Sequence, residues 1–387
     1  MIYLDYNATT PVRSEALSAM WPYLREAYGN PSSVHALGSA ARVAIEDARA
    51  TVAATLGVTP PEVIFTSGGT EANHLALWGT AWVQRPGVIL STPIEHSSVL
   101  RPLEWLVDQG WEVRWLKLST DGLVDLNFLE RALTSEVRLV SIGWANNEIG
   151  TIQPLQEIHT ICRAHRVWLH TDAVQTVGKI PLGELPADLV SVSGHKFGGP
   201  KGSGVLVVRR GVRVQPLLRG GGQERGLRAG TENVAGIVGL AAALEVSVAE
   251  VATFAEKTGR LRDRLWNCLQ AIPGVQRHGA VGAHCLPNTL MVTFEGVTSD
   301  TLVAALDLEG ICVSAGSACA AGAAEPSHVL LALGVPHPLA AGAIRFSLGP
   351  DLTEAAIDFV AASVAEQVAR IRGSEGTLEH AMGGRTR

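Results

Sequence analysis

A lysine in a glycine-rich loop offers the first chemistry. Residues 191–204 read S-V-S-G-H-K-F-G-G-P-K-G-S-G, between apolar runs at 187–192 and 205–208. Glycine at this density lets backbone pass close to another group. The 387 residues contain only five lysines, Lys117, Lys179, Lys196, Lys201 and Lys257, so arginine carries most of the basic surface. An amine forms a Schiff base with a carbonyl group, which a guanidinium does not practically do. Lys196, beside His195 and Ser193, is therefore a candidate to tether a carbonyl cofactor such as pyridoxal phosphate. The same stretch also reads as a glycine-rich hairpin with solvated lysines.

Other residues have types and places that suit such a site. Ser67-Gly68-Gly69-Thr70-Glu71 lies between an expected strand and helix. Amides at a helix start, with close approach at Gly69 and the Thr70 hydroxyl, form an anion site; an ordinary strand–helix turn is the alternative. Asp172 follows an apolar run and would lie at a strand's carboxyl end, where open parallel sheets bind ligands. A carboxylate there keeps a pyridinium nitrogen protonated; otherwise it caps the next helix. Gln175 would reach the phenolic oxygen of that ring. His96 could stack on the ring and shuttle protons, and Asn147 could donate to the ring oxygen; each also reads as a structural loop residue. Arg345 sits inside an apolar run. A buried guanidinium needs a partner, either a substrate carboxylate or an acid on the closing helix. Cys319 lies in 314–324, where ten of eleven residues are Gly, Ala or Ser. An isolated thiol there fits a nucleophile that must move.

The elements that must position these residues follow from the hydrophobic pattern. Strands are expected at 62–66, 88–91, 112–116, 138–142, 167–171, 187–192 and 205–208. Helical stretches alternate with them, which predicts right-handed crossovers and a mostly parallel, doubly wound α/β sheet. Ser33 reads as an N-cap and Gly57 as the end of a helix over 33–56. One alanine-rich helix is expected over 234–272. Strands at 289–295 and 344–347, helices at 300–308 and 352–371, and a small-residue loop at 310–324 suggest a smaller α+β unit. Residues 373–387 lack apolar periodicity and read as a disordered tail.

Net charge is −6 and no block of basic residues occurs, which disfavours nucleic acid as the primary partner. No run reaches the length of a membrane span, and the start lacks signal-peptide character. Five cysteines without a C-x-x-C argue against a disulfide framework or a zinc ribbon, so no metal is expected and a reducing cytoplasm fits.

Taken together, the motifs resemble the NifS/IscS-like cysteine desulfurases, in the class V aminotransferase group of pyridoxal-phosphate enzymes. The matching stretches are Y-L-D-Y-N-A-T-T-P, F-T-S-G-G-T-E-A-N, N-N-E-I-G, D-A-V-Q, S-G-H-K, G-P-K-G, G-G-G-Q-E-R-G-L-R-A-G-T, G-S-A-C, E-P-S-H-V-L and I-R-F-S-L-G, across about residues 2–370. Trp144-Ala145 stand where the family has His-Val before the paired asparagines. The resemblance implies a fold-type I transferase with a large cofactor domain over 14–250. A small domain formed by 1–13 and 251–372 would carry the cysteine loop. It also implies roles. Lys196 holds the cofactor and moves protons, His96 stacks on the ring, and Asp172 pairs with the ring nitrogen. Gln175 and Asn147 bear on the ring oxygen and substrate. Gly69, Thr70, Ser193 and His195 hold the phosphate. Thr231 reaches the phosphate of a neighbouring subunit, which implies a homodimer. Arg345 binds the carboxylate of L-cysteine, and Cys319 takes its sulfur, releasing alanine and passing sulfur to an acceptor such as an iron–sulfur scaffold or a thiolation enzyme. An aminotransferase or a selenocysteine lyase on the same fold is the alternative.

Overall fold

The computed structural model describes residues 1–316 and 325–383, with side chains to residue 373. Among them, seven strands form one sheet in the spatial order Val63–Thr66, Gly204–Val208, Leu189–Ser193, Trp168–Asp172, Val137–Ser141, Val88–Ser91, Glu112–Trp115. From Leu189–Ser193 to Glu112–Trp115 every pairing is parallel, while Gly204–Val208 runs against both its neighbours. Strands such as Val88–Ser91 and Leu189–Ser193 are buried along their whole length, the pattern of a sheet covered on both faces. The pleat sends alternate residues to opposite sides. Ile64, Ile89, Leu139, Leu189 and Leu206 share a core with helices Gly69–Ala81 and Ser97–Asp108. Val63, Val88, Val140, Val190 and Val207 share another with Ala36–Leu56, Leu155–Ala164 and Val234–Ala249. The mostly parallel, doubly wound sheet expected from the sequence is thus the one observed.

A second, antiparallel sheet runs in the order Ser314–Ala315, Ala343–Ser347, Thr289–Phe294, Val275–His278. It shares a separate core with Val251–Leu269, Ser299–Leu308 and the last helix, and Leu4 joins that core. The N-terminal arm links the two parts. Ile2–Tyr3 pairs with Ile311–Cys312, and Asp5 bridges Ser347. Further on, the amides of Thr10 and Arg13 donate to the carbonyls of His195 and Gly198 in the lysine loop, at 3.0 and 2.9 Å.

Four expectations need correction. The helix over 234–272 is two, Val234–Ala249 and Val251–Leu269, bent by 67°. The first is buried in the core of the large sheet and the second in that of the small one, so packing turns the chain where propensity would carry it straight. Glu250, at the bend, pairs with Arg13 at 2.8 Å. The N-cap of Ala36–Leu56 is His35, whose ring accepts the Gly38 amide, and not Ser33; Gly57 does end the helix, with φ of 66°. The stretch expected as loop from 310 is strand at Ile311–Cys312 and Ser314–Ala315, because the arm and Ala343–Ser347 offer edges to pair with. The last helix is Glu354–Gly383 and does not stop at 371. Extending a helix nucleated by a buried face adds a hydrogen bond per residue fixed. Among the described residues no single helix is long and apolar enough to cross a membrane.

Candidate active site

The carboxyl ends of the strands open on a cavity of about 380 Å³, the scale of a small-molecule site. Ten of the residues that sequence reasoning selected line it: Gly69, Thr70, His96, Asn147, Asp172, Gln175, Ser193, His195, Lys196 and Arg345. Thr231 is exposed and outside it. Cys319 lies outside the described residues.

One end of the cavity is an anion cradle. Strand Val63–Thr66 feeds helix Gly69–Ala81 through Gly68, whose φ of 153° is a conformation for glycine. The first amides of that helix have no carbonyl one turn earlier to bind. A Cβ on Gly69 would meet Val174 at 2.9 Å, and one on Gly204 would meet the Gly68 backbone at 2.6 Å, so the turn packs against its neighbours without side chains. Glu71, held by Arg228 at 2.9 Å, accepts the Ser67 amide and fixes the turn.

Lys196 closes the short 3₁₀ turn Gly194–Lys196 after strand Leu189–Ser193. Its Nζ donates to the carbonyls of Asn7 and Ala8, at 2.7 and 2.8 Å. The arm therefore aims the amine. His195 meets the Thr9 hydroxyl at 3.1 Å, and burial, with help from the lysines nearby, pushes its pKa down to about 4. Its imidazole is neutral at physiological pH. Asp172 ends strand Trp168–Asp172; its Oδ1 accepts the Val174 amide at 2.9 Å and its Oδ2 accepts Asn73 Nδ2 at 2.7 Å. His96 caps helix Ser97–Asp108 by accepting the Ser98 amide. Burial lowers its pKa, and Asp172 works against that shift.

Gln175 donates to the Asn7 carbonyl at 3.0 Å and accepts from Lys179. Lys179 is buried, also donates to Asn7 Oδ1 at 2.8 Å, and burial holds its pKa well below that of a free amine. The far wall comes from the second core. Arg345, on strand Ala343–Ser347, is 1 % exposed. It donates to Asp5 Oδ1 at 2.6 Å and to the Asn147 carbonyl at 3.2 Å. Its Nε is buried and has no partner among the described residues. The protein partner is thus Asp5 of the arm, not an acid on the closing helix. Beside this wall, Ser327 donates to the buried Glu148, and a Cβ on Gly316 would lie 3.3 Å from the same carboxylate. The two described flanks of the segment that contains Cys319 therefore converge next to Asn147.

Sequence reasoning passed over Asn7, Asn73, Ser98, Glu148 and Lys179. Asn7, Asn73 and Glu148 stand inside three of the quoted motifs, and Lys179 is one of only five lysines; those are the available signals.

The profile of the family described as aminotransferase class-V matches residues 2–360. The chain belongs to that family. Such enzymes depend on pyridoxal phosphate, and the lining of the cavity fits it: a helix start suited to a phosphate, a carboxylate and an amine. The chain is 46 % identical over 353 residues to "Cysteine desulfurase IscS" of Dictyoglomus turgidum, spanning 90 % of this chain and 89 % of the relative. It is 45 % identical over 375 residues to the protein of that name from Methanosarcina thermophila, spanning 96 % and 93 %. Among solved structures it resembles a "NifS-like protein", at 41 % identity with a TM-score of 0.89 over 95 % of this chain and 99 % of that one.

Proposed function

We propose that this class-V enzyme is a cysteine desulfurase that takes sulfur from L-cysteine, leaving L-alanine. The observation that carries the reading is that one cavity is lined by the Gly69–Thr70 turn, Lys196, Asp172 and Arg345 together.

Gly69, Thr70, Ser193 and His195 would hold the cofactor phosphate, Lys196 its carbonyl carbon, and Asp172 its ring nitrogen, with His96, Gln175 and Asn147 around the ring. Bound there, pyridoxal phosphate supplies an electron sink for a substrate carbanion. Lys196 Nζ, aimed by the Asn7 and Ala8 carbonyls, is the group that takes and returns the substrate proton. Arg345 orients the cysteine by its carboxylate, for which Asp5 is the stand-in. The Cys319 thiolate attacks the substrate sulfur. The bond between that sulfur and the substrate's β-carbon breaks, a persulfide forms on Cys319, and the carbon takes the electron pair and a proton to become alanine. Neutral His96 and Lys196 are the proton carriers within reach.

Thr231, exposed on the single chain, completes the phosphate cradle of a second copy in a homodimer. Residues 14–250 act as the cofactor domain, and 1–13 with 251–372 as the domain that carries the substrate wall. A cytoplasmic acceptor, such as an iron–sulfur scaffold or a thiolation enzyme, receives the sulfur. Mass spectrometry of the protein after incubation with cysteine tests the reading. One added sulfur on the Cys319 peptide, with alanine released, is expected. Alanine release at an undiminished rate by Cys319→Ser would overturn it.

A further inference from the structure

The chain of donors between Asp172 and His96 fixes more than geometry. The Asp172 carboxylate only accepts hydrogen bonds, so the amide of Asn73 must turn its Nδ2 toward it, at 2.7 Å. The second hydrogen on Nδ2 points at Ser98 Oγ, at 2.8 Å. Ser98 oxygen is then an acceptor on that side, and its single proton is left to give. His96 Nδ1 is 2.8 Å away. The Ser98 backbone amide donates to the same nitrogen at 3.1 Å. A ring nitrogen that receives two donors holds no proton of its own. Both intermediates are shielded from competing water, Asn73 at 0 % and Ser98 at 6 % exposure.

We propose that Asn73 and Ser98 are positioning residues that form a one-way relay of hydrogen bonds from Asp172, keeping His96 Nδ1 unprotonated and the ring proton on Nε2. The inference rests on the reading of His96 as an acid–base group and adds its working tautomer. Asn73 Oδ1 is buried with no partner among the described residues, so this amide is oriented by its donors alone. Other charges face the ring: Asp172 favours its protonation, while Lys196, His328 and Arg345 oppose it. The relay blocks one of the two sites at which a proton could enter.

Reversing one link tests it. In Asn73→Asp the new carboxyl group lies against Asp172 and shares one proton with it, and its oxygen accepts the Ser98 hydroxyl proton, leaving Ser98 Oγ an acceptor toward the imidazole. Nitrogen-15 NMR of the full-length, histidine-labelled holoenzyme, with His96 assigned by its loss in His96→Gln, reads the outcome directly. Wild type is expected to show an unprotonated Nδ1 and a protonated Nε2. Asn73→Asp should transfer the ring proton to Nδ1, shift the titration of His96 upward, and move the acid limb of the kcat profile to higher pH. Ser98→Ala, which keeps the backbone donor, should shift the titration less, and Ser98→Thr should restore it. A wild-type ring protonated on Nδ1, or an Asn73→Asp ring with unchanged tautomer and titration, would overturn the relay. If Asn73→Asp does not fold, the contrast between Ser98→Ala and Ser98→Thr decides alone, equal titrations counting against the relay. The spectra precede addition of cysteine, so this result is separate from whether alanine forms.

Discussion

The two sides of the cavity are built in opposite ways. The proposed cofactor side comes from strand ends of one sheet: Gly68–Gly69 and His96 follow Val63–Thr66 and Val88–Ser91, Asp172 ends Trp168–Asp172, and Ser193 ends the strand that Lys196 follows. Its polar groups are tied to neighbours in the same sheet or to the arm, as with Asp172 to Val174 and Asn73. The proposed substrate side is assembled from distant parts of the chain. Arg345 comes from the second sheet, its partner Asp5 from the arm, and Asn147 from a loop of the first. Here a buried guanidinium meets a half-buried carboxylate and, among the described residues, its Nε has no partner. The contrast teaches that this fold ties the proposed cofactor end to neighbours in one sheet and assembles the proposed substrate end across two cores. A carboxylate arriving at Arg345 needs only to displace Asp5, which retains access to water.

That difference can be broken at either end. The largest effect is expected at Lys196. Lys196→Ala should abolish the visible absorbance of the bound cofactor and reduce alanine formation by about 10³-fold or more, since both tether and proton carrier are lost. Alanine production within tenfold of wild type would place the chemistry elsewhere. Arg345→Lys should act on the other side alone. A point charge replaces a fork, so KM for cysteine should rise by roughly 10- to 100-fold with a smaller change in kcat, the scale of charged hydrogen bonds lost. An equal fall in kcat would tie the wall to the cradle and dissolve the comparison.

The smallest effect sharpens the claim that the cradle's scaffold is dry. His170, on the central strand Trp168–Asp172, lies between the hydroxyls of Ser141 and Ser191 at 2.9 and 3.1 Å. Burial pushes its pKa down to about 3. Its folded value lies below the unfolded one of about 6.5, so the unfolded chain binds the extra proton in between. This residue therefore withdraws stability as the pH falls from about 6.5 toward 3, and is neutral in effect above that window. Denaturant titrations across this range should show a shallower loss for His170→Asn than for wild type. Parallel curves would mean that water reaches the strand.

Much of this was legible in advance, for physical reasons that differ by element. Val88–Ser91 and Leu189–Ser193 are buried on both faces, so they read as unbroken apolar runs, and the loops after them stood out by contrast. Lys196 was conspicuous because lysine is rare in this chain. The two-residue strands Ile2–Tyr3 and Ile311–Cys312 left no trace, since each exists only because the other is beside it. The sequence does not mark Lys179, because its neighbours Asn7 and Gln175 are brought to it by the arm and by a non-helical turn. The sequence predicts one helix over 234–272 because nothing local marks the bend at Glu250.

By itself the sequence determined the alternation of strands and helices, the glycine turns and the candidate amine, aspartate and guanidinium, because periodicity and residue chemistry are local properties. Only the tertiary structure decided what those groups face. The arm's carbonyls on Lys196, Asn73 against Asp172 and Ser98, and Asp5 against Arg345 all join residues 25 to 340 positions apart. Contacts of that span are set by how two cores pack and where the arm crosses between them, and no short stretch of sequence encodes them.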